Sequence, residues 1–364
     1  MANTDFQVRD SSAQSINWSK LRGHIEIARM DHWFKNVFIL PGAIAAWAMD
    51  PQHVAANLPR RFALGVLSIC LVASSNYVIN EVLDAPSDLS HPTKFARPVP
   101  SGRVNVPIAY AQWLCMMLIG VALGTLVSTN FAVTAFALWV MGCVYNIAPL
   151  RSKDLPVVDV LSEAINNPLR MLAGWFIVGT MSVAPGSLLL SYWMIGCYFM
   201  AMKRYAEYRD IADPARAAAY RKSFKFYTED RLLVCIVFYG SAAMLFLGAF
   251  VMRYRLELIL SFPFIALVMA IYLLLGLKPH SVVQRPEGLY KEPLLMVSVT
   301  VCSIVITVLL LVDIPCLPDL VAPTAPVATK SISVSVAGQA IPCTAGSRRA
   351  NGCGSSHVAL KSPA

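Results

Sequence analysis

Positions 104–150 hold no Asp, Glu, Lys, Arg or His, an uncharged run of 47 residues. A helix crosses the hydrocarbon of a bilayer in about 20 residues. Inside hydrocarbon every backbone N–H and C=O must be satisfied by the protein itself, which leaves only helices or a closed barrel. The run is about twice one helical crossing, so it predicts two helices joined by a tight turn at Ser128, Thr129 and Asn130. The rest of the chain obeys the same restriction. It is 57% hydrophobic and 14% charged, where a soluble domain carries roughly 25% charged residues. The expected class is an all-α polytopic membrane protein, with the lipid bilayer as its partner.

Apolar runs place the spans at about 37–49, 62–83, two within 104–150, 158–182, 188–204, 232–252, 258–277 and 294–312, nine in all. The first is short and is closed by Asp50 and Pro51. Residues 1–30 form a polar N-terminal segment without a secretory signal, with an interfacial helix expected near 18–30. The membrane domain is expected over 31–315. The tail, 316–364, is rich in Ala, Ser, Thr, Val and Pro and is expected to be disordered.

The net charge of +9 sits between the apolar runs and not in one patch. That suits the positive cytoplasmic side of a membrane protein and gives no reason to expect nucleic acid. With the N-terminus cytoplasmic, the loops after spans 2, 4, 6 and 8 should lie inside. They carry Lys94, Arg97 and Arg103; Arg151 and Lys153; the charged segment 203–231; and Lys278, Arg285 and Lys291. The opposite loops are nearly uncharged apart from Arg60 with Arg61 and Arg253 with Arg255. The expected topology is therefore N-terminus cytoplasmic and C-terminus outside. The nine Cys show no CxxC pair, and six of them lie in apolar runs as small buried hydrophobes. Cys316, Cys343 and Cys353 would face the outside, where a disulfide is permitted.

Two polar clusters fall on that cytoplasmic face. The first, in NYVINEVLDAPSDLSHPTKFARPVPSGR, holds Asn80, Glu81, Asp84 and Asp88, followed by Lys94, Arg97 and Arg103. Spacings of three, four and seven keep the carboxylates near one helical face until Pro86 disturbs the turn. Like charges at a membrane-helix end need an offset, and a divalent cation supplies one. The second cluster, YNIAPLRSKDLPVVDVLSEAINNPLR, holds Tyr145, Arg151, Lys153, Asp154, Asp159 and Glu163. Asn166, Asn167 and Arg170 carry its polar stripe into the membrane, where polar side chains usually face a cavity. The plainer alternative is a structural salt bridge from Asp159 or Glu163 to Arg170. Acidic clusters with basic partners suit a Mg²⁺–diphosphate clamp. Asn80, Glu81, Asp84, Asp88, Asp154 and Asp159 are its catalytic and metal candidates. Lys35, Lys94, Arg97, Tyr145, Arg151, Lys153, Lys203 and Arg204 are candidates for phosphate oxygens. Lys35 has an equally good reading as a membrane-edge anchor beside Trp33 and Phe34.

These residues also carry a resemblance. Asn80, Glu81, Asp84 and Asp88 resemble the Asn-Asp-x-x-Asp-x-x-x-Asp motif of the UbiA superfamily of intramembrane prenyltransferases, with Glu81 standing where the family has Asp. Tyr145, Arg151, Lys153, Asp154 and Asp159 resemble its second, Asp-rich motif. The resemblance covers about residues 22–312. It implies nine helices around a central cavity and Mg²⁺-dependent chemistry on a polyprenyl substrate. WFKN at 33–36, HPTKFARPVPSG at 91–102 and KRYAE at 203–207 are similar to the bacterial polyprenyl-phosphate phosphoribosyltransferases. That branch implies a diphosphate-bearing donor, phosphoribosyl pyrophosphate, a polyprenyl phosphate acceptor, and a bacterial plasma membrane with the site facing the cytoplasm. Prenyl transfer from a lipid diphosphate to an aromatic or other small acceptor is the second reading. An ion-coupled transporter is a third, disfavoured because most of the acidic residues lie at span ends and not at the bilayer midplane.

Overall fold

In a computed structural model the described residues are 18–89 and 94–317, with two further pairs at 335–336 and 339–340. Twelve α-helices follow in order among them: α1 (Trp18–Glu26), α2 (Leu40–Met49), α3 (Leu58–Asp88), α4 (Val106–Thr125), α5 (Thr129–Asn146), α6 (Val158–Ala164), α7 (Asn166–Val178), α8 (Gly186–Ile211), α9 (Pro214–Tyr220), α10 (Glu229–Tyr254), α11 (Phe262–Gly276) and α12 (Pro293–Leu311). The all-α expectation holds for the membrane part. Five of these segments are long and apolar enough to cross a bilayer: α3, α4, α10, the stretch Leu256–Gly276 ending in α11, and α12. The chain is a polytopic integral membrane protein.

Local chemistry sets the helix ends. The tight turn within the uncharged run is real: α4 stops at Thr125, and the Ser128 hydroxyl accepts from the Phe131 N–H at 3.1 Å to open α5. Asn105 and Thr228 cap α4 and α10 in the same way. The run expected as one span at 158–182 is broken into α6 and α7 at Ile165. Pro168 has no N–H to return to Ala164, which explains the break. In contrast, α3 runs on through Pro86 to Asp88. The entry to the first span is a 3-10 helix, Met30–Ile39, leading into α2.

Packing divides into two cores. Ile69, Phe131, Leu138 and Ile177 join α3, α5 and α7, with Ile39 and Ala46 of the first span against them. Cys197, Met202, Ile236 and Tyr272 join α8, α10 and α11. The backbones of α2 and α7 touch: a Cβ on Gly42 would lie 1.8 Å from the Met171 carbonyl, and one on Gly174 1.9 Å from the Ile39 carbonyl. Such close approach is how membrane helices gain contact where lipid offers no hydrophobic drive. α3 is the most enclosed candidate span, 56% buried, while α4 is 11% and faces outward. Leu118, Ile119, Val234, Val237, Leu245 and Ile304 are among the exposed apolar side chains.

The basic loops meet at one end of the bundle. Arg103 pairs with Glu26 of α1, Arg151 with Asp84 of α3, Lys222 with Asp154, and Glu287 approaches Lys35. At the other end the two basic exceptions cap helices. Arg61 donates to the Ile177 and Phe176 carbonyls at 2.7 and 2.9 Å, and Arg255 to the Leu310 carbonyl at 2.6 Å. Cations at helix C-termini are stabilised by the helix dipole, so these arginines have a local reason to sit there. The stretch from 316 forms a separate unit. Its described part includes a two-residue antiparallel ladder, Ser335–Val336 with Gln339–Ala340. Most of the expected disordered tail, with Cys343 and Cys353, lies outside the described residues.

Candidate active site

The last turns of α3 carry the first cluster. Asp84 Oδ1 accepts from Lys153 Nζ at 2.6 Å and from Arg151 Nη2 at 2.9 Å. Asn80 donates its amide to Asn146 Oδ1, which also accepts from Lys153 Nζ at 2.9 Å. Asp88 is buried and accepts from Arg97 Nη1 at 2.7 Å, with Lys94 Nζ 4.0 Å away. Glu81 is buried too, but its Oε1 accepts the Val99 backbone N–H at 3.0 Å. It fastens the loop after α3 to the helix, while Asp84 looks across to the second cluster.

That second cluster depends on a strained reversal between α5 and α6. Arg151 and Val157 adopt φ of 26° and 67°, a region that costs a β-branched residue most. The Tyr227 hydroxyl takes up the Val157 N–H at 2.6 Å. The result aims the 3-10 turn Ser152–Asp154 back at α3. Arg151 then bridges the clusters, with Nη2 on Asp84 and Nε on Asp154 Oδ2 at 3.1 Å. Lys222 reaches the same Asp154 oxygen at 3.1 Å.

Asp159 and Glu163 behave differently from Asp154. Asp159 is fully buried and accepts from the Tyr227 hydroxyl at 2.7 Å and from Ser223 Oγ and Arg204 Nε at 3.2 Å each. Glu163 Oε2 accepts from Arg204 Nη2 at 2.6 Å and from the Tyr145 hydroxyl at 3.0 Å. Arg204 also holds Glu207 at 3.2 Å and is only 1% exposed. One buried guanidinium thus serves three carboxylates, an arrangement worth keeping only when every partner is present. Lys203 beside it has no ion pair among the described residues. Lys35 is held only loosely, 3.7 Å from Glu287. Burial pulls the Lys35 ammonium down to about 8, with Glu287 opposing that shift and the Lys203 charge adding to it. Burial likewise lowers Lys153 and Lys94, against Asp84 and Asp88 respectively.

The structure brings most of the sequence candidates to one end of the bundle. Ion pairs and hydrogen bonds connect Asn80, Asp84, Arg151, Lys153 and Asp154 in one group, and Tyr145, Asp159, Glu163 and Arg204 in another. Asn146, Arg221, Lys222, Ser223, Tyr227 and Glu287 were not singled out in advance. The 3-10 turn Lys222–Lys225 supplies two of them, Lys222 and Ser223, from a segment whose only sequence signal is its charge.

Carboxylate oxygens are the ligand type Mg²⁺ takes, and it is commonly held by one or two carboxylates plus substrate phosphates and waters. Asp84, Asp88 and Asp154 each stand against a cation that such an arrangement would share with a phosphate. Among the described residues no three His, Cys, Asp or Glu side chains gather closely enough to hold an ion alone. The residues therefore fit an ion whose ligands are completed by a phosphorylated substrate, and not an all-protein cage.

The chain is similar in sequence and in fold to known proteins. The decaprenyl-phosphate phosphoribosyltransferase of Corynebacterium glutamicum is 31% identical over 222 residues, 58% of this chain. The chain spans 61% of that relative's length, less than two thirds. The enzyme of the same name from Mycobacterium tuberculosis (strain H37Rv) is 28% identical over 232 residues, 62% of this chain and 72% of the relative. In fold, a UbiA homolog from Archaeoglobus fulgidus bound to DMAPP and Mg²⁺ superposes with a TM-score of 0.59 at 20% identity, covering 79% of this chain and 99% of that one. The UbiA prenyltransferase family model matches residues 37–286, well over half of the chain, and this protein belongs to that family.

Proposed function

We propose that the chain is a Mg²⁺-dependent intramembrane transferase that moves 5-phosphoribose from phosphoribosyl pyrophosphate to a polyprenyl phosphate. One oxygen of the lipid phosphate bonds to C1 of the ribose as the C1–O bond to pyrophosphate breaks, and pyrophosphate leaves with that electron pair. The acceptor is already an anion, so no strong general base is required, and positioning with electrostatic stabilisation supplies the rate. The observation that carries the reading is the surplus of cations at the loop end: Lys35 and Lys203 stand beyond the basic residues that Asp84, Asp88 and Asp154 already hold. A phosphosugar diphosphate together with a lipid phosphate has more anionic groups to bind than a lone prenyl diphosphate. Similarity to the phosphoribosyltransferases supports the same choice.

Asp84, Asp88 and Asp154 would hold Mg²⁺, which when bound neutralises charge on the pyrophosphate. Arg151 and Lys153 would bind that pyrophosphate, and Lys35 and Lys203 the sugar phosphate. Asn80 would orient Lys153 through Asn146. Asp159 and Glu163 would act through Arg204, holding the α5–α6 reversal and α8 in place. We place the site at the cytoplasmic end of nine crossings: 37–49, α3, α4, α5, α6 with α7, α8, α10, 256–276 and α12. The membrane would be a bacterial plasma membrane.

The test is a donor assay on the purified protein in detergent with Mg²⁺, radiolabelled phosphoribosyl pyrophosphate and a C50 polyprenyl phosphate. Label should enter the lipid phase and be lost with EDTA. No lipid label, but pyrophosphate released from a prenyl diphosphate in the presence of an aromatic acceptor, would move the protein to prenyl transfer.

A further inference from the structure

Arg170 lies on α7, seven residues beyond Glu163 and past the break at Ile165, further into the span. It is 9% exposed. A charge at that depth is expensive and almost always has a partner or a function. The alternative salt bridge from Asp159 or Glu163 does not form, because Arg204 takes both acids, and among the described residues no acid lies within ion-pair distance of Arg170. Its Nε donates to Asn36 Oδ1 at 2.9 Å, and Nη1 reaches the Asn166 carbonyl at 3.4 Å. An arginine has five N–H donors, so most of the fork is unused. Its other electrostatic neighbours are the hydroxyls of Tyr77 and Tyr192 and the thiol of Cys70, all neutral groups. Asn166 Oδ1, in the next turn, is buried without a partner.

We propose that Arg170, with Asn36, Tyr77 and Tyr192, is the binding site for the phosphate monoester of the polyprenyl acceptor. The inference rests on the transferase reading and adds the acceptor's place to it. Asn36 of the 3-10 entry helix meets Arg170 of α7 directly, and Tyr77 of α3 and Tyr192 of α8 are electrostatic neighbours of the same guanidinium. A guanidinium fork matches phosphate oxygens in a bidentate way. Arg170 lies further along the α6–α7 segment than the acid–base pairs of Asp159 and Glu163, toward the apolar part of the bundle, where a lipid-borne anion would sit. Tyr192 is linked to the first span through the Phe38 carbonyl at 3.4 Å, and Phe38 packs edge-on against its ring. Those rings give the first isoprene units an apolar wall. Tyr145 links the two regions: its ring centroid is 5.9 Å from Lys153 Nζ, and its hydroxyl donates to Glu163, seven positions before Arg170, at 3.0 Å. The ribose of the donor would bridge that interval, with its C1 toward Arg170.

The test measures equilibrium binding to the detergent-solubilised full chain for a C50 polyprenyl phosphate, the matching neutral polyprenol, inorganic phosphate, and phosphoribosyl pyrophosphate with Mg²⁺. The parent should bind the lipid phosphate more tightly than the polyprenol, and saturating donor should not displace it. Arg170→Gln should weaken the lipid phosphate by about 10- to 100-fold, the value of a charge-assisted hydrogen bond pair, and leave polyprenol and donor affinity unchanged. Arg170→Lys should recover part of the loss. Tyr192→Phe removes one hydroxyl with little risk to folding and should weaken the lipid phosphate by roughly 3- to 10-fold. Equal lipid-phosphate affinity in Arg170→Gln and Tyr192→Phe overturns the site. Competition by the donor, with Arg170→Gln weakening both ligands, or tight inorganic phosphate displacing the lipid, would also overturn it by assigning the anion to the donor. If the parent binds lipid phosphate as described but transfers no ribose phosphate, the transferase reading fails and the phosphate site stands. If transfer proceeds and the variants bind lipid phosphate normally, the reverse holds.

Discussion

Two acidic residues three apart on α3 have opposite duties. Asp84 meets Arg151 and Lys153 across the gap between the clusters, while Glu81 accepts a backbone N–H from the loop behind it. Asp84→Asn removes the charge that balances two cations, and transfer should fall by more than about 100-fold, the scale of an electrostatic catalytic contact. Glu81→Gln keeps an acceptor oxygen for Val99, and its rate should stay within about 3-fold of the parent, since one preserved neutral hydrogen bond costs little. Parallel kcat measurements on the two variants check this. Lys35 adds a pH dependence. Its ammonium, brought down to about 8 by burial, is charged below that pH and neutral above it. A bound phosphate favours the charged form, so donor binding near pH 8 takes up a proton, and affinity falls as pH rises past that value. The KM for the donor should increase by about 10-fold from roughly pH 7 to pH 9, a loss near one charge-assisted contact. Lys35→Arg should flatten the profile; a profile that keeps its slope in that variant would assign the titration elsewhere.

Elements, and not single side chains, decide whether the two clusters face each other. α7 carries Arg170 and continues from α6, and it is located by direct backbone contact with the first span. Gly174→Ala puts a methyl group against the Ile39 carbonyl, where neither backbone can give way, and should cost about 1–3 kcal/mol as overpacking. Gly248 on α10 has open space where its Cβ would be, so Gly248→Ala should leave stability level or raise it by up to about 1 kcal/mol through helix propensity. Thermal unfolding of both variants in one detergent checks the contrast. Such contacts were not legible in the sequence, because Gly42 and Gly174 are over 130 positions apart and nothing local pairs them. The helices themselves were legible: an uncharged run can only be satisfied as spans, and Ser128 marks their turn. The two acidic clusters could be read from spacing alone. Their partners could not, since Arg204 meeting Asp159 and Glu163, and Tyr227 meeting Asp159, are products of tertiary approach across 45, 41 and 68 positions; only Glu207, three residues from Arg204 on α8, is a local partner. The break at Ile165 was in principle available from Pro168, but the length from 158 to 182 fits a single crossing and so reads as one continuous span.

Across the whole molecule the charge pattern makes one end different from the other. The segment after α8 exposes Arg216, Lys222, Lys225 and Arg231, together with the basic residues of the neighbouring loops. The far end exposes Arg60 and Arg253, with Arg61 and Arg255 engaged on helix C-termini. The positive-inside bias counts Lys and Arg in short loops near span ends, and these are more numerous at the loop end than at the end that carries Arg60, Arg61, Arg253 and Arg255. The basic loop end should therefore face the cytoplasm. That orientation also suits a water-soluble, phosphorylated donor, which the cytoplasm can supply directly to Lys35 and Lys203. Limited trypsin treatment separates the two orientations. In inverted membrane vesicles cleavage should fall between α9 and α10, leaving two large membrane-bound fragments. In right-side-out spheroplasts that segment should be protected, and cuts should map to Arg60 or Arg253 instead. The opposite pattern would place the acidic clusters outside the cell, where a cytoplasmic phosphosugar donor has no access, and the transferase reading would have to give way with the topology.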